Sequence, residues 1–256
     1  MIISVWGKEK RMEEVRRLLR QDHTCVSLDD LSCFDLRLID ALILPLQSIQ
    51  GEKGEYMDRS QIHLPQYFWE CLREDCKIIA GKETSFLRQL PYQKFYYMKD
   101  EAFLCKNARL TAQGTLFYIL DQADRALDEY SADIIGKGRC GKAIGTLLTA
   151  LGMKVRYVRH RIATSEDECC YDEWKLKQCA DFIIFCAPCA MLDKETILHF
   201  SKGTHFIDIS GVERKWKDLL VAGGNSYVYA AALPEVFASR SSGKAIYTFA
   251  KEVLYE

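Results

Sequence analysis

Apolar residues fall along the chain in two patterns, short continuous runs and longer stretches with apolar positions three and four apart. The first predicts buried strands and the second amphipathic helices. Ile2 to Trp6 is a strand by this criterion, and Met12, Val15, Leu18 and Leu19 mark one face of a helix that starts after Gly7. Thr24 to Leu28 and Asp40 to Leu44 are the next strands, the latter stopped by Pro45. The polar, glycine-containing segment from Gln47 to Ser60 predicts a long loop. A helix over Gln66 to Arg73 then feeds a strand over Lys77 to Ala80, and Lys94 to Met98 closes the set. Strands alternating with helices in this order make a parallel sheet covered on both faces.

A helix from about Ala108 to Leu127 follows, with Leu116, Ile119, Leu120, Ala123 and Leu127 as its expected buried stripe. Beyond the polar Asp128 to Ser131, a second set of strands is predicted at Ala132–Ile135, Lys154–Val158, Asp181–Cys186, His205–Ile209 and Tyr227–Ala231. A last helix, roughly Ala238 to Leu254, is expected to return to the first domain. The fold class is therefore α/β with two doubly wound parallel-sheet domains: residues 1–107, a linking helix over 108–130, and a Rossmann dinucleotide-binding domain over 131–256.

The bulk numbers narrow the function. A net charge of −1 gives no basic field for nucleic acid or a membrane surface. Met1 to Trp6 is too short for a signal segment, and no run suits a membrane helix, so a cytoplasmic protein is expected. The eleven cysteines are then read as reduced thiols. Cys186-Ala-Pro-Cys189 has redox-motif spacing, but no second pair follows it and it ends an apolar strand; it is expected to bind no metal and to line the cofactor wall. Cys169 and Cys170 fall in an acidic connection and are expected to be exposed.

Chemistry concentrates at Gly136-Lys137-Gly138-Arg139-Cys140-Gly141. An apolar strand runs into Gly136, and a helix carrying Ile144, Leu147, Leu148 and Leu151 leaves Gly141. In that context Gly136 makes the tight turn, Gly138 admits pyrophosphate to the backbone, and Gly141 lets helix and strand pack closely. Arg139, Cys140 and the later segment Cys186, Ala187 and Pro188 complete the expected cofactor cradle. The end of the second strand reads Arg159-His160-Arg161 where NAD sites usually carry an acid. A guanidinium there can grip a 2′-phosphate, which favours NADP over NAD.

Several segments resemble the A subunit of dipicolinate synthase. They are Asn107-Ala-Arg-Leu-Thr111-Ala-Gln-Gly114 with the long helix after it, the glycine motif, and Ile39 to Pro45 with Gly51 nearby. Asp181 to Pro188 and Phe206 to Ser210 complete the set, in the same order over nearly the whole chain. The resemblance implies a flavodoxin-like first domain and a layout related to the D-2-hydroxyacid dehydrogenases. It also implies NADP-linked oxidation of a dihydrodipicolinate-type cyclic dicarboxylate in sporulation, with a flavoprotein-like second subunit. The chain departs from the family's pattern at Gly211-Val-Glu-Arg214, Ala232-Leu-Pro-Glu235, Arg240-Ser-Ser-Gly243 and Gln113, where the family carries Pro-Gly-Gly, Gly-Leu-Pro-Gly, Lys-Thr-Ala-Gly and a glutamate.

The expected substrate contacts are Asn107, Thr111, Gln113, Ser210 and Arg240. Asn107 and Thr111 would serve equally as N-caps of the long helix. No residue stands out as the base. A homo-oligomer is expected. Two other functions fit the sequence: a nucleotide-binding paralogue without catalysis, acting as a regulator or scaffold, and another dehydrogenase of the 2-hydroxyacid type. The latter needs a late histidine, and none follows His205.

Overall fold

The computed structural model describes residues 1–26, 34–46, 49–50, 55–56, 66–160, 165–176 and 180–255. Contacts divide the chain into two compact units, residues 1–107 together with 238–256, and residues 108–237.

The first unit carries β1 (Ile2–Val5), α1 (Lys10–Leu19), β2 (Thr24–Val26), β3 (Ala41–Ile43), β4 (Ile49–Gln50), β5 (Glu55–Tyr56), α2 (Gln66–Glu70), β6 (Lys77–Ala80), α3 (Ser85–Gln89) and β7 (Gln93–Tyr96). Five strands form a parallel sheet in the order β2-β1-β3-β6-β7, the flavodoxin-like arrangement. Successive side chains serve opposite faces of the pleat. Ala41, Ile43 and Ile79 join one core with Met12, Val15 and Leu19 of α1, while Leu42, Leu44, Ile78 and Ala80 join another with Phe68 and Trp69. The segment expected to be a plain loop contains a short antiparallel pair, Ile49 with Tyr56 and Gln50 with Glu55. Four residues without apolar alternation over any length gave periodicity nothing to register.

The helix α4 (Glu101–Gln122) starts earlier than expected. Asn107 and Thr111 therefore lie inside it, away from its N-cap. Asp100 is at its start instead, its carboxylate accepting from the Phe103 N–H. Ile119 is fully buried, but Leu120, expected in the buried stripe, is 54% exposed.

The second unit continues with β8 (Ser131–Ile135), α5 (Arg139–Ala150), β9 (Lys154–Arg159), β10 (Glu168–Cys170), α6 (Tyr171–Leu176), β11 (Phe182–Phe185), α7 (Lys194–Leu198), β12 (His205–Asp208), α8 (Lys217–Ala222), β13 (Ser226–Tyr229) and α9 (Leu233–Tyr255). Its six parallel strands run β10-β9-β8-β11-β12-β13, the Rossmann order. Ala132, Ile134, Phe182, Ile184 and Ile207 face one core; Ile135, Val158, Ile183, Phe185 and Phe206 face the other. Asp133 breaks this apolar pattern. Its buried carboxylate takes a two-pronged contact from Arg156 at 2.9 and 2.7 Å and the Trp174 indole N–H at 2.7 Å, which ties α6 to the sheet. Each of the two buried carboxylate oxygens thus has a charged or polar donor.

Cys169 is not exposed as expected. It is buried in β10 among Val158 and Trp174, because β10 pairs with β9 and its middle residue points inward. α9 is kinked at Ala238 (φ −144°, ψ 44°). Beyond it, Ile246, Ala250, Val253 and Leu254 pack with α1 in the first unit's core. A methyl on Gly243 would lie 2.3 Å from the Arg11 carbonyl oxygen, so only glycine permits this approach.

Candidate functional site

The glycine turn leaves the second unit's central strand β8 and enters α5. Gly136 has φ +104°, a left-handed conformation open to glycine, and a side chain on it would meet Ala187 at 3.1–3.3 Å. The loop after β11 is held there because the Cys186 and Ala187 N–H groups both donate to the Ile135 carbonyl at 3.0 Å. Gly141 is closer still, its hypothetical Cβ 2.0 Å from the Gly136 carbonyl oxygen. Gly138 differs from both. It occupies the N-cap position of α5 at φ −80°, and a Cβ there would meet nothing within 4 Å. The turn is thus tight where it packs and open at the helix N-terminus, where unpaired N–H groups and the helix dipole favour an anion. That shape fits a dinucleotide's pyrophosphate.

Cys140 follows in the first turn of α5; burial pushes its thiol up, and a hydrogen bond with Thr111 pulls the other way. Thr111 is buried, its side chain turned to Cys140, while Gln113 is exposed. Burial raises the Cys186 thiol strongly, with the nearby Cys140 and Asp208 adding to it. Cys186 and Cys189 are both free thiols, and Cys189 and Pro188 are exposed. Among the described residues no group of three His, Cys, Asp or Glu side chains is placed to hold a metal.

At the end of β9, Arg159 does not stand alone. Its guanidinium contacts Glu168 at 2.9 Å, and the other Glu168 oxygen accepts from Lys137, inside the glycine turn, at 2.8 Å. Lys137 also reaches Asp167 at 3.0 Å and sits over the Tyr157 ring. These contacts raise the Lys137 ammonium above its ordinary value, Glu168 foremost. His160 is exposed, and Arg161 lies outside the described residues.

Asp208, fully buried at the end of β12, organises the turn after it. It accepts from the Ser210 hydroxyl at 2.8 Å, the N–H groups of Gly211 and Glu213, and the Tyr227 hydroxyl at 2.7 Å. Ser210, expected to hold substrate, is thus a turn-building hydroxyl in this arrangement, and it also accepts from the Val212 N–H at 3.3 Å. Glu213 turns inward and its Oε1 accepts from the Met191 and Leu192 N–H groups, fastening the loop after β12 to the loop after β11. Its Oε2 is buried without a partner, and burial raises its pKa. Sequence spacing gave no sign of Glu168 or Glu213, since both act across loops.

Asn107 and Arg240 belong to the first unit. Arg240 is exposed, just past the α9 kink, and adds its charge to that of Lys244 near Glu14, whose carboxyl is lowered chiefly by its hydrogen bond to Arg17.

A flavodoxin-like sheet and a Rossmann sheet with an open glycine turn give this chain a two-unit, parallel-sheet α/β fold. It is similar over its full length to the A chain of dipicolinate synthase from Bacillus subtilis, with 20% identity, 96% of that chain covered and a TM-score of 0.81. The corresponding subunit from Bacillus halodurans gives 19% identity, full coverage of this chain, 98% of the other and a TM-score of 0.78. The D-isomer-specific 2-hydroxyacid dehydrogenase from Lactobacillus delbrueckii ssp. bulgaricus, in its NAD-complexed form, gives 10% identity, 99% and 96% coverage and a TM-score of 0.57. At these identities the likeness is one of fold. No protein-family model matches the sequence, and no curated protein does. No helix among the described residues is long and apolar enough to cross a membrane.

Proposed function

We propose that the chain is a nicotinamide-dinucleotide oxidoreductase of the dipicolinate synthase A type, oxidising a dihydrodipicolinate-like cyclic dicarboxylate in sporulation. The observation that carries this reading is the glycine turn, closed by packing at Gly136 and Gly141 and open at Gly138 over a helix N-terminus. Gly138, Arg139 and Cys140 would hold the pyrophosphate, and Cys186 to Pro188 would form the wall beside the nicotinamide. A bound nicotinamide would supply the hydride acceptor, and the ring's second hydrogen would leave as a proton. The protein's own part is to fix the dinucleotide, to hold two substrate carboxylates and to keep water away. Asn107, Thr111, Gln113, Ser210 and Arg240 are the residues we assign to substrate. A cytoplasmic homo-oligomer working with a flavoprotein-like second subunit completes this reading. The sequence favours NADP through Arg159 and Arg161.

A second reading, a nucleotide-binding paralogue without turnover, draws support from Gln113, an exposed amide where the resembled family carries a carboxylate. Nicotinamide reduction followed at 340 nm with dihydrodipicolinate, with and without the second subunit, separates the two. Turnover supports the enzyme. Binding without turnover under both conditions supports the paralogue, and no nucleotide binding refutes both.

A further inference from the structure

The sequence at the end of β9 carries no acid, yet the fold brings one there. Glu168, the first residue of β10, sits opposite Tyr157 in the parallel register, two residues before the Arg159 strand end. Its side chain is 3% exposed, and its two oxygens are divided between Lys137 of the glycine turn and Arg159. Asp167 takes a further contact from Lys137. Two cations and two carboxylates therefore meet where a Rossmann domain receives the adenosine ribose, and their charges cancel.

We infer that Glu168 sets the choice of dinucleotide by neutralising Arg159 and Lys137, so that the site takes NAD, with free ribose hydroxyls, in preference to NADP. The inference rests on the nucleotide-binding reading above and reverses the NADP preference drawn there from the strand-end arginines. A 2′-phosphate brings close to two negative charges. Against it stands a buried carboxylate that already holds both cations in charge-assisted contacts. To be gripped, the phosphate must compete with Glu168 for each of them, whereas a ribose hydroxyl makes no such demand. Glu168 is a positioning residue, too buried to touch the nucleotide. It acts through the cations that do.

The test is calorimetric titration of the full chain with NAD⁺ and NADP⁺, in wild type, Glu168→Gln, Asp167→Asn and the double variant Glu168→Gln with Arg159→Ala. Wild type should bind NAD⁺ more tightly. Glu168→Gln should tighten NADP⁺ about tenfold or more, the effect of one freed charge-assisted contact, while NAD⁺ changes less than about threefold. Adding Arg159→Ala should abolish the gain. Asp167 is half exposed, so Asp167→Asn folds without burying a new group and should move the NADP⁺ to NAD⁺ ratio the same way by a smaller factor. A structural role alone would weaken both nucleotides together, and that result, or a loss of NADP⁺ binding in Glu168→Gln, overturns the inference. Wild type preferring NADP⁺ overturns it as well. If wild type binds neither nucleotide, the parent reading fails and takes this one with it.

Discussion

The two glycines that flank Arg139 and Cys140 should respond to the same substitution in opposite ways. In Gly141→Ala the new methyl carbon would stand 2.0 Å from the Gly136 carbonyl oxygen, 3.1 Å from its carbon and 3.3 Å from Ile134. A carbon–oxygen approach normally stops near roughly 3.3 Å, so α5 would have to retreat from β8 by roughly 1.3 Å. The clashing oxygen is backbone, with no rotamer to yield. The cost belongs at the upper end for overpacking, about 3 kcal/mol. Gly138→Ala meets nothing within 4 Å and keeps an ordinary φ of −80°. Its smaller unfolded-state entropy and its poorer N-cap character oppose each other, each within about 1 kcal/mol, leaving stability nearly unchanged. The open space it fills is where we place the pyrophosphate. Forfeiting one charge-assisted N–H contact is worth about 1.5–3 kcal/mol, so dinucleotide affinity should fall about 10- to 100-fold. Urea denaturation followed by tryptophan fluorescence reads the first quantity and calorimetry the second. A folded Gly138→Ala protein that binds dinucleotide as tightly as wild type would refute the cradle.

Two further outcomes follow from the loops beyond β12 and β13. Burial raises the Glu213 pKa, so the folded protein holds that proton more tightly than the unfolded chain. Its stabilising share is complete below the ordinary glutamate range and is lost as pH rises through the elevated value. Glu213→Gln, which keeps an acceptor for the Met191 and Leu192 N–H groups, should therefore gain in urea midpoint relative to wild type as pH rises above the ordinary glutamate range; a constant difference would exclude the shift. Ala232 lies at φ +50°, in the left-handed region, and Ala232→Gly should raise stability by about 0.5–1 kcal/mol by relieving that strain. A loss of stability on thermal denaturation would contradict it.

Both sheets were legible because parallel strands are buried on two faces and read as unbroken apolar runs. Phe182 to Phe185 is such a run, and every residue in it is buried. Elements that escaped notice were short or polar. β10 has three residues, of which Cys169 alone is buried, and its neighbour Asp167 is a half-exposed acid. α3 has five residues, with Leu87 alone buried. The glycine turn was legible as a turn: order along the chain put the tight φ at Gly136 and the close packing at Gly141, and the structure has both. The surroundings of Arg159 were not. Its partner lies nine residues on, beyond the strand's end, and the β9–β10 register is what brings the two together. A motif read along one strand cannot count charges supplied by the next.

The same distinction governs the departures from the resembled family's pattern. On sequence alone, replacing glycines at Glu213 and at Glu235 predicts new bulk around the strand ends. Around β12 that bulk is turned inward: Glu213 is 1% exposed and stitches two loops together, while Gly211 keeps a left-handed turn at φ +75°. At Ala232 the loss of a glycine is absorbed as backbone strain, with Ala232 still accepting from the Glu235 and Val236 N–H groups to start α9. These substitutions preserve loop geometry by adding a buried charge in one place and a strained dihedral in another. Both are costs to stability, and neither adds a group that could contact a ligand. The glycine turn differs in kind, closed by packing at Gly136 and Gly141 and open at Gly138, and it is there that nucleotide binding should first be tested.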